Sequence, residues 1–325
     1  MKDLLKRLML VPSVSGREDK IREAIKKEIL PYADEISVDS MGNLIARKKG
    51  NGKRIMLCAH MDEIGLFVTN IEDNGRLSVC GVGGVNTLSA SFQEVVSENG
   101  VSGVIFPENS KEVPKAENLT IDIGAKNKKQ AEKIVEIGDF FVCKPKLEKL
   151  QNQRYIGRPV DDRVGCAILI DTLKRVKSDN DLYFVFSVQE EVGGRGAKPA
   201  AFGIAPDYGI AVDVTYSKDA GELMPTKAKL GGGCAIKIKD DGAISSPVLV
   251  KRMRELAKAA GIKYQDEIIL AGGTDASAMQ IAGRGTMVGA ISIPMSNIHT
   301  SCEMFDMLDV KEAVKLAVEL CEKLN

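Results

Sequence analysis

The sequence predicts an α/β fold: a mostly parallel sheet covered by helices and interrupted by a small β-rich insert. Three observations predict it. Runs such as IMLCAH (55–60) and LYFVFSV (182–188) are apolar throughout, as in strands buried on both faces. From about Arg158 such runs alternate with helical patterns of about 10 to 15 residues, which implies right-handed crossovers between parallel strands. Between about Gly65 and Tyr155 the chain carries short β-type runs with glycine turns instead. The expected division is 1–64 plus 156–325 for the α/β domain and 65–155 for the insert.

The elements follow in order. Ser15 and Glu18 have capping-box spacing, and IREAIKKEIL repeats apolar residues at helical intervals, so a helix is expected over about 17–30. EISVDSMGNLIARKKGNGKRIMLCAH reads as strands broken at Met41-Gly42-Asn43 and Gly50-Asn51-Gly52. In the insert, GLFVTNIEDNGRLSVCGVGG is a hairpin turning at Asn74-Gly75. VVSENGVSGVIF and LTIDIG are strands, and NKKQAEKIVEI is a helix. Beyond it, RVGCAILIDTLKRV is helical, DLYFVFSVQE and PDYGIAVDVT are strands, and PVLVKRMRELAKAAGI is helical. MVGAISIP is a strand and VKEAVKLAVELCEKL a closing helix.

Charge is balanced, with 45 basic and 45 acidic residues in 325, so the chain has no electrostatic footprint for nucleic acid or an anionic membrane. No apolar stretch reaches the roughly 18 residues that span a bilayer, and MKDLLKRLMLVPSVSG lacks a signal-peptide core. A cytoplasmic protein is expected. Seven cysteines, with no CxxC pair, argue against a disulfide framework and a thiolate zinc site.

The chain has two histidines, His60 and His299, and both fall at or just past the ends of apolar strands. So do Glu190, Glu191 and Asp213. In an open α/β sheet, functional groups collect at the carboxyl ends of the strands. Asp161-Asp162 stands directly before a helix, where an aspartate ordinarily caps. Asp62, two residues after His60, can share its face and fix its tautomer, as partners of metal ligands do. Adjacent like charges repel, so Glu190 and Glu191 either face water or meet something positive. Together these residues predict a metal site. Two histidines and several acids suit two cations sharing a bridging aspartate about 3.5–4 Å apart better than a three-histidine site. One glutamate would then bind metal and its neighbour handle a proton. GGTDASAMQIAG is read as a helix entry with Asp275 in the first turn, and LGGGCA lacks the GK[ST] ending of a phosphate loop.

AHMDEIG, VDDRVG, QEEVGGRGA, IAVDVT, GGTDA and IPMSNIH, in that order, resemble the tetrahedral (TET-type) metalloaminopeptidases. These include glutamyl aminopeptidases and proteins called cellulase or endoglucanase M, and the resemblance covers essentially the whole chain. It implies a zinc-peptidase-like α/β domain, an insert that builds dimers assembling into a homo-oligomeric dodecamer, and short peptides as substrates. It implies two divalent ions (zinc, cobalt or manganese): one on His60, Asp161 and Asp213, the other on Glu191 and His299, with Asp161 bridging. Glu190 would be the general base, Asp62 would orient His60, and Asp162 would follow Asp161 across a cis peptide. The chain departs from the family at Ser296-Asn297, where Arg-Tyr is usual, and lacks a Pro-Pro-His-type segment near Glu108 to Val113. A deacylase or dipeptidase with the same centre is the nearest alternative. A glycoside hydrolase is poorly served: the chain has no tryptophan, and adjacent extended glutamates would point apart.

Overall fold

The computed structural model describes residues 1–109, 111–220 and 226–324. Among them an 11-stranded sheet forms the backbone of the molecule. Its centre is parallel: Asp181–Ser187, Arg54–His60, Tyr208–Tyr216 and Met287–Ser296 lie side by side in that order. The flanks are antiparallel except for Cys234–Lys239 beside Tyr264–Ile268, so the expectation of a mostly parallel sheet holds at the centre and at that one pair. The cause is connection length. Glu35–Val38 turns straight into Leu44–Lys48, and Lys146–Lys149 into Arg154–Arg158, and a short turn can join only antiparallel neighbours.

Helices cover both faces. On one lie Lys2–Met9, Asp19–Ile29, Arg163–Arg175, Pro247–Ala259 and Met307–Lys323. Arg163–Arg175 is apolar around most of its circumference, Val164 to Ile170 being buried without a break, because other helices cover the side away from the sheet. The other face is thinner, with Ala197–Ile204 and Asp275–Gln280 packed through alanines.

Gly65–Ile71, Leu77–Val82, Leu119–Asp122, Ser102–Pro107, Glu94–Ser97 and Phe140–Cys143 close into an antiparallel barrel. It has its own core, including Leu66, Val79, Ile121 and Phe141. Lys146–Lys149 and Tyr155, grouped with the insert by sequence, belong instead to strands of the large sheet. In NKKQAEKIVEI only Lys128–Ala131 is α-helical. The barrel buries just Ala131 and Val135 there and leaves Ile134 and Ile137 exposed, so one turn is all that packing supports. The capping box is not formed either. The helix begins at Asp19 without a side-chain cap, and Ser15 and Glu18 serve the site described next.

Candidate metal centre

The parallel strands set the site. Arg54–His60 delivers His60 at its carboxyl end, and the neighbouring Tyr208–Tyr216 carries Asp213. Asp181–Ser187 leads into Glu190 and Glu191, while Met287–Ser296 leads into His299. Asp161 precedes the helix Arg163–Arg175 from the far side, and the Asp161-Asp162 peptide is cis. His60, Asp161, Glu190, Glu191, Asp213 and His299 all line one open cleft of ≈ 450 Å³.

Asp161 stands between the two histidines. Its Oδ1 is 3.2 Å from His60 Nε2 and its Oδ2 is 3.3 Å from His299 Nε2. Glu191 Oε2 reaches His299 Nε2 at 3.2 Å. Asp213 Oδ1 and Glu190 Oε2 lie farther from His60 Nε2, at 3.9 and 4.0 Å. Both glutamates therefore face the same cleft, contrary to the expectation that neighbours point apart. Gln189, with φ of 57°, turns the chain, and the carbonyl of Glu190 accepts from Gly193 and Gly194, so the segment is a turn rather than an extended strand.

A donor set must fit a cation before one is invoked, and this one does. His60 Nδ1 lies 3.0 Å from the backbone carbonyl of Asp62, which can only accept, so Nδ1 carries the hydrogen. In a neutral ring Nε2 is then a bare lone pair. It faces Asp161 Oδ1, a buried oxygen that accepts no hydrogen bond. Two lone pairs at 3.2 Å need a positive charge between or on them. Without a metal the site takes protons. Burial opposes the imidazolium of His60, but Asp161 and Asp62 outweigh it and push its pKa well up. Burial likewise opposes the charge on His299, yet Asp161 and Glu191 carry it to about 11. Burial raises Asp213 to about 7, reinforced by the charge of Asp161, and raises Glu190 well above the usual carboxylate range. A cluster that draws protons this strongly has the electrostatics of a cation site.

The surrounding residues hold these groups. The Asp62 carboxylate is 3.5 Å from His60 Nδ1, farther than its own carbonyl. It accepts from Ser15 Oγ at 2.6 Å and from the N–H groups of Glu190 and Glu191 at 3.1 and 3.2 Å. Glu18 accepts from the N–H of Gln189 at 3.0 Å, fixing the turn. Asp162 is occupied as a cap, accepting from Gly165 N–H and His60 N–H. Asp275 lies in the first turn of its helix, as read, but is buried beneath the centre, where it accepts from Ser187 Oγ and Cys58 Sγ. Two glycines of LGGGCA, Gly231 and Gly233, donate to Asp309. Ser296 is buried against Ser217, Asn297 is a turn residue with φ of 61°, and Ser110, in the segment read as lacking Pro-Pro-His, lies outside the described residues.

The barrel also reaches the site. A Cβ on Gly84 would lie 2.8 Å from His299 Nδ1, and one on Gly83 would lie 3.1 Å from the Glu191 side chain. Sequence reasoning missed this glycine pair, and also Ser15, Glu18 and Glu303 as supports. Glu303, four residues past His299, was the one with a local signal.

The chain is 48% identical over 323 residues to a putative aminopeptidase of Acetivibrio thermocellus, with 98% of each chain covered. It is 36% identical over 342 residues to a lysyl aminopeptidase of Pyrococcus furiosus, covering 99% of this chain and 97% of the relative. The structure matches the TET1 peptidase of Pyrococcus horikoshii, described as assembling into a tetrahedron or a large octahedral shell. That match has a TM-score of 0.92 at 35% identity and covers 99% of both chains. The family pattern for M42 glutamyl aminopeptidases spans residues 42–316. On a fold and a chain length that agree throughout, this protein belongs to the M42 aminopeptidase family of peptide hydrolases.

Proposed function

We propose that the protein is a dinuclear-metal aminopeptidase, zinc-peptidase-like in its catalytic domain, that removes N-terminal residues from short peptides. His60, Asp213 and Asp161 Oδ1 would hold one divalent ion; His299, Glu191 and Asp161 Oδ2 the other. The observation that carries this reading is Asp161, whose two oxygens address one histidine each, at 3.2 and 3.3 Å. Imidazole with carboxylate suits zinc, cobalt or manganese. When bound, two such ions would lower the pKa of a shared water and polarise the scissile carbonyl.

The chain's own groups do the rest. Glu190, beside His60 but farther from it than Asp161, takes a proton from the attacking water and passes it to the leaving amine. With two cations held beside it, its carboxylate would be ionised at rest, despite the burial that raises its pKa in the bare site. Asp62 acts through position. It ties the Glu190-Glu191 backbone to the His60 strand, and its carbonyl fixes the His60 tautomer.

The exposed Leu88 and Phe92 on the barrel, and Phe202 and Ile281 on the thin helical face, supply apolar surface for a homo-oligomer. No helix among the described residues is long and apolar enough to cross a membrane. The test is hydrolysis of Glu, Lys, Leu and Ala anilides by metal-stripped protein, with zinc, cobalt or manganese added back. Release restored from free but not N-acylated substrates is expected. Loss of the acyl group from the N-acylated panel, with the anilide bond left intact, would mean a deacylase, and silence with two metals bound would sink the reading.

A further inference from the structure

Two residues assigned to the centre hang from one buried carboxylate. Glu303, in the strand Glu303–Asp306, is 1% exposed. Its Oε2 accepts from Val160 N–H at 2.6 Å and Asp161 N–H at 3.3 Å; its Oε1 accepts from His299 N–H at 3.3 Å. The loop bearing His299 needs such a hold. His299 and Asn297 both have φ of 61°, a left-handed backbone disfavoured for any residue with a Cβ. Arg158, also buried, lies 3.5 Å from Glu303 Oε1 through Nη1, which donates to Thr300 carbonyl at 2.9 Å. Its Nη2 donates to the carbonyl of Ile64, at the entrance to the barrel, at 3.1 Å. His60 and Asp213 are held differently, by the adjacent parallel strands that carry them.

We propose that Glu303 is a positioning residue that sets the spacing between Asp161 and His299 and so builds the second cation position. The proposal rests on the reading above, that these side chains hold two cations. It acts through backbone N–H groups and lies too deep to touch substrate. Its loss should therefore weaken the His299–Glu191 position, where it holds both Asp161 and His299, more than the His60–Asp213 position, where it holds Asp161 alone.

The experiment titrates Zn²⁺ into metal-stripped wild-type protein, Glu303→Ala and Glu303→Gln, by calorimetry, with Co²⁺ absorption reporting coordination and thermal unfolding checking the fold. Wild type should take two equivalents. In Glu303→Ala the second should bind roughly 10- to 100-fold more weakly, the range for residues that support metal ligands, and the first should weaken clearly less. Glu303→Gln keeps the shape and one acceptor oxygen, so it should show a smaller loss in the same direction, and it decides the matter if the alanine variant does not fold. An unchanged second equivalent would overturn the proposal. So would parallel weakening of both equivalents with a lowered Tm, or failure of both variants to fold, since either assigns Glu303 to general stability. A wild-type protein that takes fewer than two equivalents would instead overturn the dinuclear reading itself.

Discussion

Glu190 and Asp161 are both carboxylates in one cleft, yet they should fail in different ways when neutralised. Glu190→Gln keeps size and hydrogen-bonding reach but cannot take a proton. Metal content should stay near wild type while kcat falls about 10²- to 10⁴-fold, which anilide kinetics and atomic absorption would show together. Asp161→Asn removes the charge between His60 and His299. Both equivalents of metal should then bind more weakly, and activity should be recovered in part at high added metal; full activity at trace metal would contradict the bridging role. These residues were legible because histidine is scarce here and both histidines sit where apolar strands end. Their supports were not. Ser15 meets Asp62 across 47 residues, Glu303 meets Val160 across 143, and Glu18 meets Gln189 across 171. No local pattern records such a partner. Ser15 and Glu18 even mimicked a helix cap, because a hydroxyl that donates to Asp62 and a carboxylate that accepts from Gln189 are the same residue types that cap.

Among the elements, the closing helix Met307–Lys323 carries a titratable anchor of its own. Asp309 is fully buried and accepts from Gly231 and Gly233, closing the loop before Cys234–Lys239 over the helix. Burial raises its pKa to about 7 from an ordinary 3.8, against the lowering effect of those two N–H groups. The folded state therefore holds a proton there that the unfolded chain has lost. Stability from this group is complete below about pH 4 and declines as pH rises towards 7. Asp309→Asn should flatten that decline, seen as a smaller drop in the urea midpoint between pH 4.5 and 7.5 than wild type shows. An identical slope would mean the carboxyl is charged throughout. Helices and strands were legible wherever burial and period agree. The helix Asp19–Ile29 buries Ile21, Ile25 and Ile29 at regular spacing, and Ile25→Ala there should cost about 2–5 kcal/mol by chemical denaturation. Strand direction was less legible. An apolar run announces burial on both faces, but whether its neighbour runs parallel depends on a connection elsewhere in the chain.

At the scale of the molecule, balanced charge and exposed apolar side chains on two separate faces suit self-association. Light scattering should give a mass many times that of one chain. Phe92→Asp or Phe202→Asp should lower it without unfolding the subunit, and a wild-type monomer would remove the argument. That a β-rich unit interrupts an α/β domain was readable from the change in strand spacing near Gly65. That it helps to form the cleft was not, because two glycines carry no chemical signature. Yet Gly83 and Gly84 press against Glu191 and His299 with no space for a methyl group. The insert is thus keyed to the reaction centre like a die to its mould. Swapping in a barrel from a relative would have to preserve that bare stretch of backbone, or the graft would wedge open the very pocket it was meant to leave alone.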